Sequence, residues 1–178
     1  MQLTYNFNPS VGVAGMVAES RESNVIVSKV ASGAVPVGLL CYPGADSEIG
    51  MSPTTADPAG TSPGQVVAWP ANVNDSPLLR WESVGIPVYD ASRPPYDANN
   101  CYADKDPVPV ITKGPVWVKP EVSFSDEKRL VYVRTAVNGG LTTLGGFAGS
   151  AGAGLVILPN AKWLSGCNAN GLAILELW

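Results

Sequence analysis

The sequence predicts a mainly β protein, an antiparallel β-sandwich or barrel of jelly-roll-like form with long loops and an extended N-terminal arm. Glycine and proline are abundant, with 19 and 16 among 178 residues, and this content breaks most long helices. About ten short segments rich in β-branched and aromatic residues alternate with turn-forming residues, as is typical of sandwiches and barrels. Hydrophobic residues make up 46% of the chain, so we expect a packed core and exclude wholesale disorder.

Residues 1–23 are predicted to form the arm. They include the aromatic residues Tyr5 and Phe7 and a run of small residues at 12–16. Fully extended, the first part of this segment, 1–17, would reach about 55 Å, whereas the radius of gyration expected for the whole domain is about 16 Å. Such an arm can contact a neighbouring molecule. An ordinary frayed terminus is the alternative.

Residues 24–178 are predicted to form a single β-rich domain with two long insert loops, 43–64 and 90–105, which are rich in turn-forming residues. One helical turn is expected at 76–81, where Ser76 is a suitable cap. The predicted strands of the first half are 24–30, 35–42, 65–69 and 85–89.

The second half shows clearer strand patterns. Lys113-Gly114 is predicted to separate two paired strands, and Asn138-Gly139 is a strong signal for a tight turn. The glycine-rich stretch 145–154 is predicted to be a flexible loop. The predicted strands of this half are 107–112, 115–119, 130–136, 141–144, 155–158, 162–164 and 171–178.

The segment 130–136 alternates apolar and more polar residues. Because neighbouring side chains of a strand point to opposite faces, Val131 and Val133 are expected to face the core. Tyr132 and Arg134 are then expected to face solvent or a partner.

The charge of the chain narrows its possible partners. The net charge is −4 and the isoelectric point about 4.7, with no cluster of Lys or Arg. Nucleic acids and anionic membranes both require clustered cations, so we expect neither as a partner. No apolar stretch approaches the roughly 20 residues that span a bilayer. Residues 1–20 contain no cation and thus lack the basic start of a secretory signal, so synthesis in a cytosol is expected.

Three cysteines, Cys41, Cys101 and Cys167, lie far apart in the sequence. An odd number cannot close a complete disulfide framework, so three reduced and mostly buried thiols are expected. One disulfide with one free thiol is the alternative.

The residue types present limit catalysis to carboxylates, Lys, Tyr and unassisted thiols. The chain has no histidine, which excludes Ser-His-Asp and Cys-His catalysis and nearly all zinc geometries. Asp97, Asp104 and Asp106 lie in a loop where carboxylates commonly form turns. The stretch that begins at Asp97 has Cys101 where a calcium-binding loop needs an oxygen ligand. We therefore expect no enzyme activity, no cofactor and no metal site.

Tryptophan has two possible roles in this chain. Core packing and subunit contacts are the expected role, and a sugar-stacking platform is the alternative. The five tryptophans are Trp69, Trp81, Trp117, Trp163 and Trp178.

Several segments resemble the structural cement, or head decoration, proteins of tailed bacteriophages. The resemblance covers the arm and the chain from about residue 104 onward, and the final segments match best, whereas 44–103 has no counterpart in it. The segments are 9–20 (PSVGVAGMVAES), 106–118 (DPVPVITKGPVWV), 130–134 (LVYVR) with 144–147 (LGGF), 160–164 (NAKWL) and 171–177 (GLAILEL).

The resemblance implies a protein that binds the outer surface of an icosahedral phage capsid. It implies trimers on the (quasi-)threefold axes that bridge neighbouring major capsid proteins and stabilise the shell against internal genome pressure. The implied partners are the major capsid protein and further copies of this chain. The implied location is the outer surface of the virion, reached in the host cytoplasm during assembly. A carbohydrate-binding β-sandwich displayed on a virion is the alternative function.

Two sets of residues are predicted to make these contacts. An arm can add a strand to the edge of a capsid sheet through backbone hydrogen bonds, so the arm is expected to be the capsid anchor. The anchor residues are Leu3, Tyr5, Phe7, Pro9, Val11, Val13 and Met16. The residues expected at the trimer contact are Tyr132, Arg134 and Trp178.

Overall fold

The computed structural model describes residues 13–31, 34–43, 65–68, 85–90, 100–125, 130–135, 143–168 and 171–178. None of these residues lies in a helix, and most of them belong to strands. The predicted mainly β class is therefore confirmed. The predicted helical turn at 76–81, the turn at Asn138-Gly139 and most of the loop 43–64 lie outside the described residues.

Eleven strands are present in the described part of the chain. They are β1 (Val25–Ala31), β2 (Val35–Pro36), β3 (Cys41–Pro43), β4 (Gln65–Ala68), β5 (Ile86–Pro87), β6 (Cys101–Tyr102), β7 (Pro107–Val118), β8 (Leu130–Arg134), β9 (Phe147–Ala148), β10 (Leu155–Trp163) and β11 (Ala173–Leu177).

Nine of these strands form one sheet in the order β3-β4-β1-β7-β11-β10-β8-β9, with β5 also paired to β7. The strands β2 and β6 form a separate antiparallel pair. All pairings are antiparallel except that between β1 and β4. The described strands leave this sheet open rather than closing it into a barrel.

The long strand β7 is central to the architecture. Its first half pairs with β1 and β5, and its second half pairs with β11. The prediction of two strands separated at Lys113-Gly114 is wrong, because β7 runs through this point without ending. Gly114 has a φ of 123°, and a Cβ there would lie 2.4 Å from Oδ1 of Asn24. The pairing register with β1 shifts at the same place, so the glycine marks an irregularity within one strand.

Three further expectations differ from the structure. The strands predicted at 155–158 and 162–164 are one strand, β10, with a shift in its register against β8. The predicted strand 35–42 is two strands, because Gly38 turns the chain with a φ of 76°. The stretch 145–154 contains β9, whose Phe147 is fully buried.

The core consists of two clusters of buried residues. The larger one gathers side chains from β7, β8, β10 and β11 around Trp163. The rings of Phe124 and Phe147 meet Trp163 edge-on, with centroids 4.8 Å and 6.5 Å away. The smaller cluster lies around Val35, Tyr102 and Val108. None of the three cysteines forms a disulfide bond, and only Cys41 among them is fully buried.

Candidate functional site

The root of the predicted arm is attached to β7 by backbone hydrogen bonds. Gly15 donates to the carbonyl of Trp117 at 2.7 Å, Trp117 donates to the carbonyl of Met16 at 2.8 Å, and Ala18 donates to the carbonyl of Pro115 at 3.0 Å. Val17 forms a β-bridge with Val116. Residues 15–18 are thus attached to the body of the protein, so within the predicted arm, 1–23, only residues before them could extend freely.

A glycine is required at this attachment. Gly15 is buried, has a φ of 87° and accepts a hydrogen bond from the amide of Tyr89 at 2.9 Å. A Cβ at this position would lie 2.2 Å from Cγ1 of Val37. The close approach of Val37 and the positive φ together exclude any residue larger than glycine at this position.

The pairing of β7, β11, β10 and β8 creates one continuous surface, which we call the outer face. Directly opposed residues of antiparallel strands share a face, so Leu130, Lys162 and Glu176 lie side by side, as do Tyr132 and Ile157. Val17 packs against the core, and its neighbour Met16 therefore lies on the same side of the sheet as Trp117. The outer face consists of Met16, Trp117, Leu130, Tyr132, Ile157, Lys162, Ile174, Glu176 and Trp178.

Large apolar side chains are exposed on the outer face. Leu130 is 58% exposed, Trp178 54%, Ile157 44% and Met16 37%. The backbone of Trp178 is held, because its amide donates to the carbonyl of Asn160 at 3.1 Å. Grouped exposure of this kind marks a contact site more often than scattered single residues do. The structure thus places Tyr132 and Trp178 of the predicted trimer contact on the same face as Met16 of the predicted anchor.

Four charged side chains cross the outer face as a network. The two oxygens of Glu176 accept from Nη1 of Arg21 at 2.8 Å and from Nζ of Lys162 at 2.7 Å. Nζ of Lys162 also lies 5.3 Å from the ring centroid of Trp178, within cation–π distance. Arg21 pairs with Glu19 as well, and this hydrogen bond raises the pKa of Arg21. The charges of the two cations and the two anions cancel, so another protein can cover this network without burying a net charge.

Arg134 is buried, so it adds nothing to the exposed surface of the outer face, and its predicted exposure is wrong. It is 1% exposed, and its Nη2 donates to Oε2 of Glu121, 7% exposed, at 2.8 Å. Its Nη1 donates to the carbonyl of Ala153 at 3.2 Å. The alternation in 130–136 correctly buries Val131 and Val133. It fails at Arg134 because a partner distant in sequence neutralises the guanidinium inside the protein.

The remaining predicted anchor residues divide into two groups. Val13 is 38% exposed and accepts a hydrogen bond from the amide of Met16. The others lie outside the described residues, namely Leu3, Tyr5, Phe7, Pro9 and Val11.

The described residues offer no clear site for chemistry. They contain no group of three or more His, Cys, Asp or Glu side chains able to hold a metal ion. A shallow groove of about 530 Å³ is lined by Ser123, Phe124, Ser125, Cys167 and Asn168, none of which is a carboxylate or an amine. No helix long and apolar enough to cross a membrane is found in this part of the chain. Burial of Trp163 removes one tryptophan from the alternative sugar-stacking platform.

An open β-sheet with an exposed apolar face is typical of proteins that act through contacts with other proteins. The chain matches the family described as "Structural cement protein (E217 gp24/Pam3 gp6)" over residues 1–177. The protein therefore belongs to the structural cement protein family of bacteriophages, as its resemblance to that family predicts.

A solved structure has the same fold. A chain from "The capsid of Myoviridae Phage XM1" is similar with a TM-score of 0.65, at 12% sequence identity. The similarity covers 98% of this chain and 94% of that chain. A search of curated proteins gave no match. With the family membership, these findings make the protein a structural component of a phage virion that associates with the capsid shell.

Proposed function

We propose that this protein binds the outside of the icosahedral capsid as trimers on the (quasi-)threefold axes and bridges neighbouring major capsid proteins. Bridging raises the free energy needed to separate capsomers, and so it opposes the outward pressure of the packaged genome. Decoration then places the protein on the outer virion surface, with assembly in the host cytoplasm. The observation that carries this proposal is the outer face, on which exposed apolar side chains surround a charge-neutral network.

The arm is the proposed capsid anchor. Residues 15–18 are hydrogen-bonded to β7, so the body of the protein holds the chain just after the proposed anchor segment. Leu3, Tyr5 and Phe7 alternate with Gln2, Thr4 and Asn6, a pattern that suits a strand added to a capsid sheet edge. Pro9, Val11, Val13 and Met16 complete the anchor.

The part of the outer face on β8, β10 and β11 is the proposed trimer contact, whereas Met16 at its edge belongs to the anchor. Tyr132 and Trp178 take part in it together with their neighbours Leu130 and Ile157, whereas Arg134 acts inside the subunit. Trp and Tyr are the residues that most often anchor protein interfaces. A trimer engages three capsid sites together, so weak individual contacts give a strong overall attachment.

Deleting residues 1–12 tests the anchor. The deletion spares Gly15 and Met16, so the domain is expected to keep its circular dichroism spectrum and its thermal midpoint. Binding to undecorated capsids, measured by co-sedimentation, should be lost.

A matched pair of variants separates side-chain recognition from chain length. Replacing Leu3, Tyr5 and Phe7 by serine should abolish capsid binding, whereas the same change at Gln2, Thr4 and Asn6 should preserve it. Unchanged binding after deletion of 1–12 would refute the anchor.

Analytical ultracentrifugation tests the trimer contact. Trp178→Ala should shift the assembly towards monomer because the largest exposed apolar side chain of the outer face is lost. Ile26→Ala is the control, since Ile26 is 47% exposed but lies on β1. A native protein that stays monomeric at high concentration and adds one copy per axis to capsids would count against the trimer.

A further inference from the structure

Glu176 connects two parts of the molecule that the proposed function uses separately. It lies on β11, its side chain is 15% exposed, and each of its carboxylate oxygens accepts from a different cation. One cation is Arg21, which follows the arm root at 15–18, and the other is Lys162 on β10.

Arg21 lies close to the proposed capsid anchor, and Lys162 lies close to the proposed trimer contact. Arg21 follows the backbone attachment at 15–18, and the side-chain amide of Asn24 donates to the carbonyl of Glu19 at 2.7 Å, which closes this short segment. Lys162 lies over the ring of Trp178. The carboxylate of Glu176 therefore connects the segment after the arm root, through Arg21, with Trp178, through Lys162.

We infer that Glu176 is a positioning residue that couples capsid anchoring by the arm to self-association at Trp178; this inference rests on the proposed function. When another copy covers Trp178 and Lys162, water is excluded, and the attraction between Glu176 and its two cations strengthens as the local dielectric constant falls. Arg21 is then held more firmly, and the arm root is fixed before the anchor binds. A fixed root lowers the entropy lost when the arm attaches to the capsid.

A comparison of two backgrounds tests this coupling. The affinity for undecorated capsids is measured for Arg21→Gln, Trp178→Ala and the double variant, first in the native background and then with Glu176→Gln. In the native background, the double variant should lose less affinity than the product of the two single losses, by about threefold or more. In the Glu176→Gln background the losses should multiply. Multiplying losses in both backgrounds, or equal coupling in both, would overturn the inference.

A second measurement needs no capsid. Hydrogen exchange of the Ala18 amide is followed as the protein concentration is raised through the range of self-association. The exchange should slow in the native protein and stay unchanged in Glu176→Gln. Glu19→Gln is the control because it removes the other carboxylate from Arg21 and leaves Glu176, Lys162 and Trp178 in place, so slowing should persist.

The two measurements distinguish the two ideas. If the native protein does not bind capsids, the proposed function fails, and the exchange measurement still decides whether Glu176 couples the arm root to self-association. If capsids bind and the exchange at Ala18 slows equally in Glu176→Gln, the coupling role fails while the proposed function stands.

Discussion

Among single residues, Glu121 is expected to contribute strongly to stability because it pairs with the buried guanidinium of Arg134. Glu121→Gln keeps the size of the side chain but removes the negative charge that pairs with the buried guanidinium. We expect a loss of about 3 kcal/mol in the free energy of unfolding, measured by urea denaturation.

Two comparison variants test whether the loss in Glu121→Gln comes from breaking a buried ion pair. Glu19→Gln removes a carboxylate from an exposed pair and should cost less than about 1 kcal/mol. Glu121→Leu combined with Arg134→Met replaces both charges by apolar groups, and it should be more stable than either single change. A cost for Glu121→Gln as small as that for Glu19→Gln would contradict a stabilising role for the buried pair.

The buried thiol of Cys41 is expected to make the free energy of unfolding depend on pH in the alkaline range. Burial raises the pKa of its thiol from 9.0 to about 12, and its Sγ donates to the carbonyl of Gly85 at 3.2 Å. The folded state favours the neutral thiol, so this contribution is complete below pH 9 and is lost as the pH rises towards 12. Between pH 8 and pH 11 the native protein should lose about 2 kcal/mol more than Cys41→Ala, measured under reducing conditions. Equal losses would show that Cys41 titrates normally.

At the scale of elements, the attachment of the arm root to β7 depends on Gly15. Gly15→Ala forces alanine into a positive φ and against Val37, so we expect a loss of about 3 kcal/mol and faster proteolysis within 13–18. Gly171→Ala is the matched control. Gly171 has a φ of 72° with no atom within 4 Å of a Cβ, so only the conformational cost of about 1 kcal/mol applies. If both variants lose the same amount of stability, the contact with Val37 does not contribute to the effect of Gly15→Ala.

Local patterns identified several strands but not how far they continue. The alternation at 130–136 and the apolar segments at 24–30 and 171–178 correspond to β8, β1 and β11. The continuity of β7 and β10 was missed, since glycine and proline are turn signals only when no neighbouring strand supplies hydrogen bonds. Here β1 and β11 supply them along β7.

The candidate site was predictable where side chains carry the signal. Trp178 and Tyr132 are large residues at the end of the sequence or on an alternating strand, and the structure places both on the outer face. Their role as contacts stays a prediction. The attachment at 15–18 is made by backbone groups, which leave little trace in residue type. The roles of Arg134 and Glu176 depend on partners far away in sequence, which no local pattern indicates.

At the scale of the whole molecule, decoration should protect the capsid. Undecorated capsids incubated with the protein are expected to rupture at a higher temperature than untreated capsids, measured by release of an encapsulated dye. Because the proposed trimers would bind at several points, protection should rise steeply with protein concentration and should weaken in Trp178→Ala. Full binding with no change in rupture temperature would contradict a cementing role.

The position of β11 has a consequence for how the molecule is made. This strand lies between β7 and β10, yet its residues are translated after those of every other strand named above. Until they leave the ribosome, the edges of β7 and β10 that β11 will occupy have no partner from it, and unpaired edges promote aggregation. Completion of this sheet must wait for β11 to be synthesised, so premature termination before residue 173 should yield insoluble chains rather than a smaller folded protein.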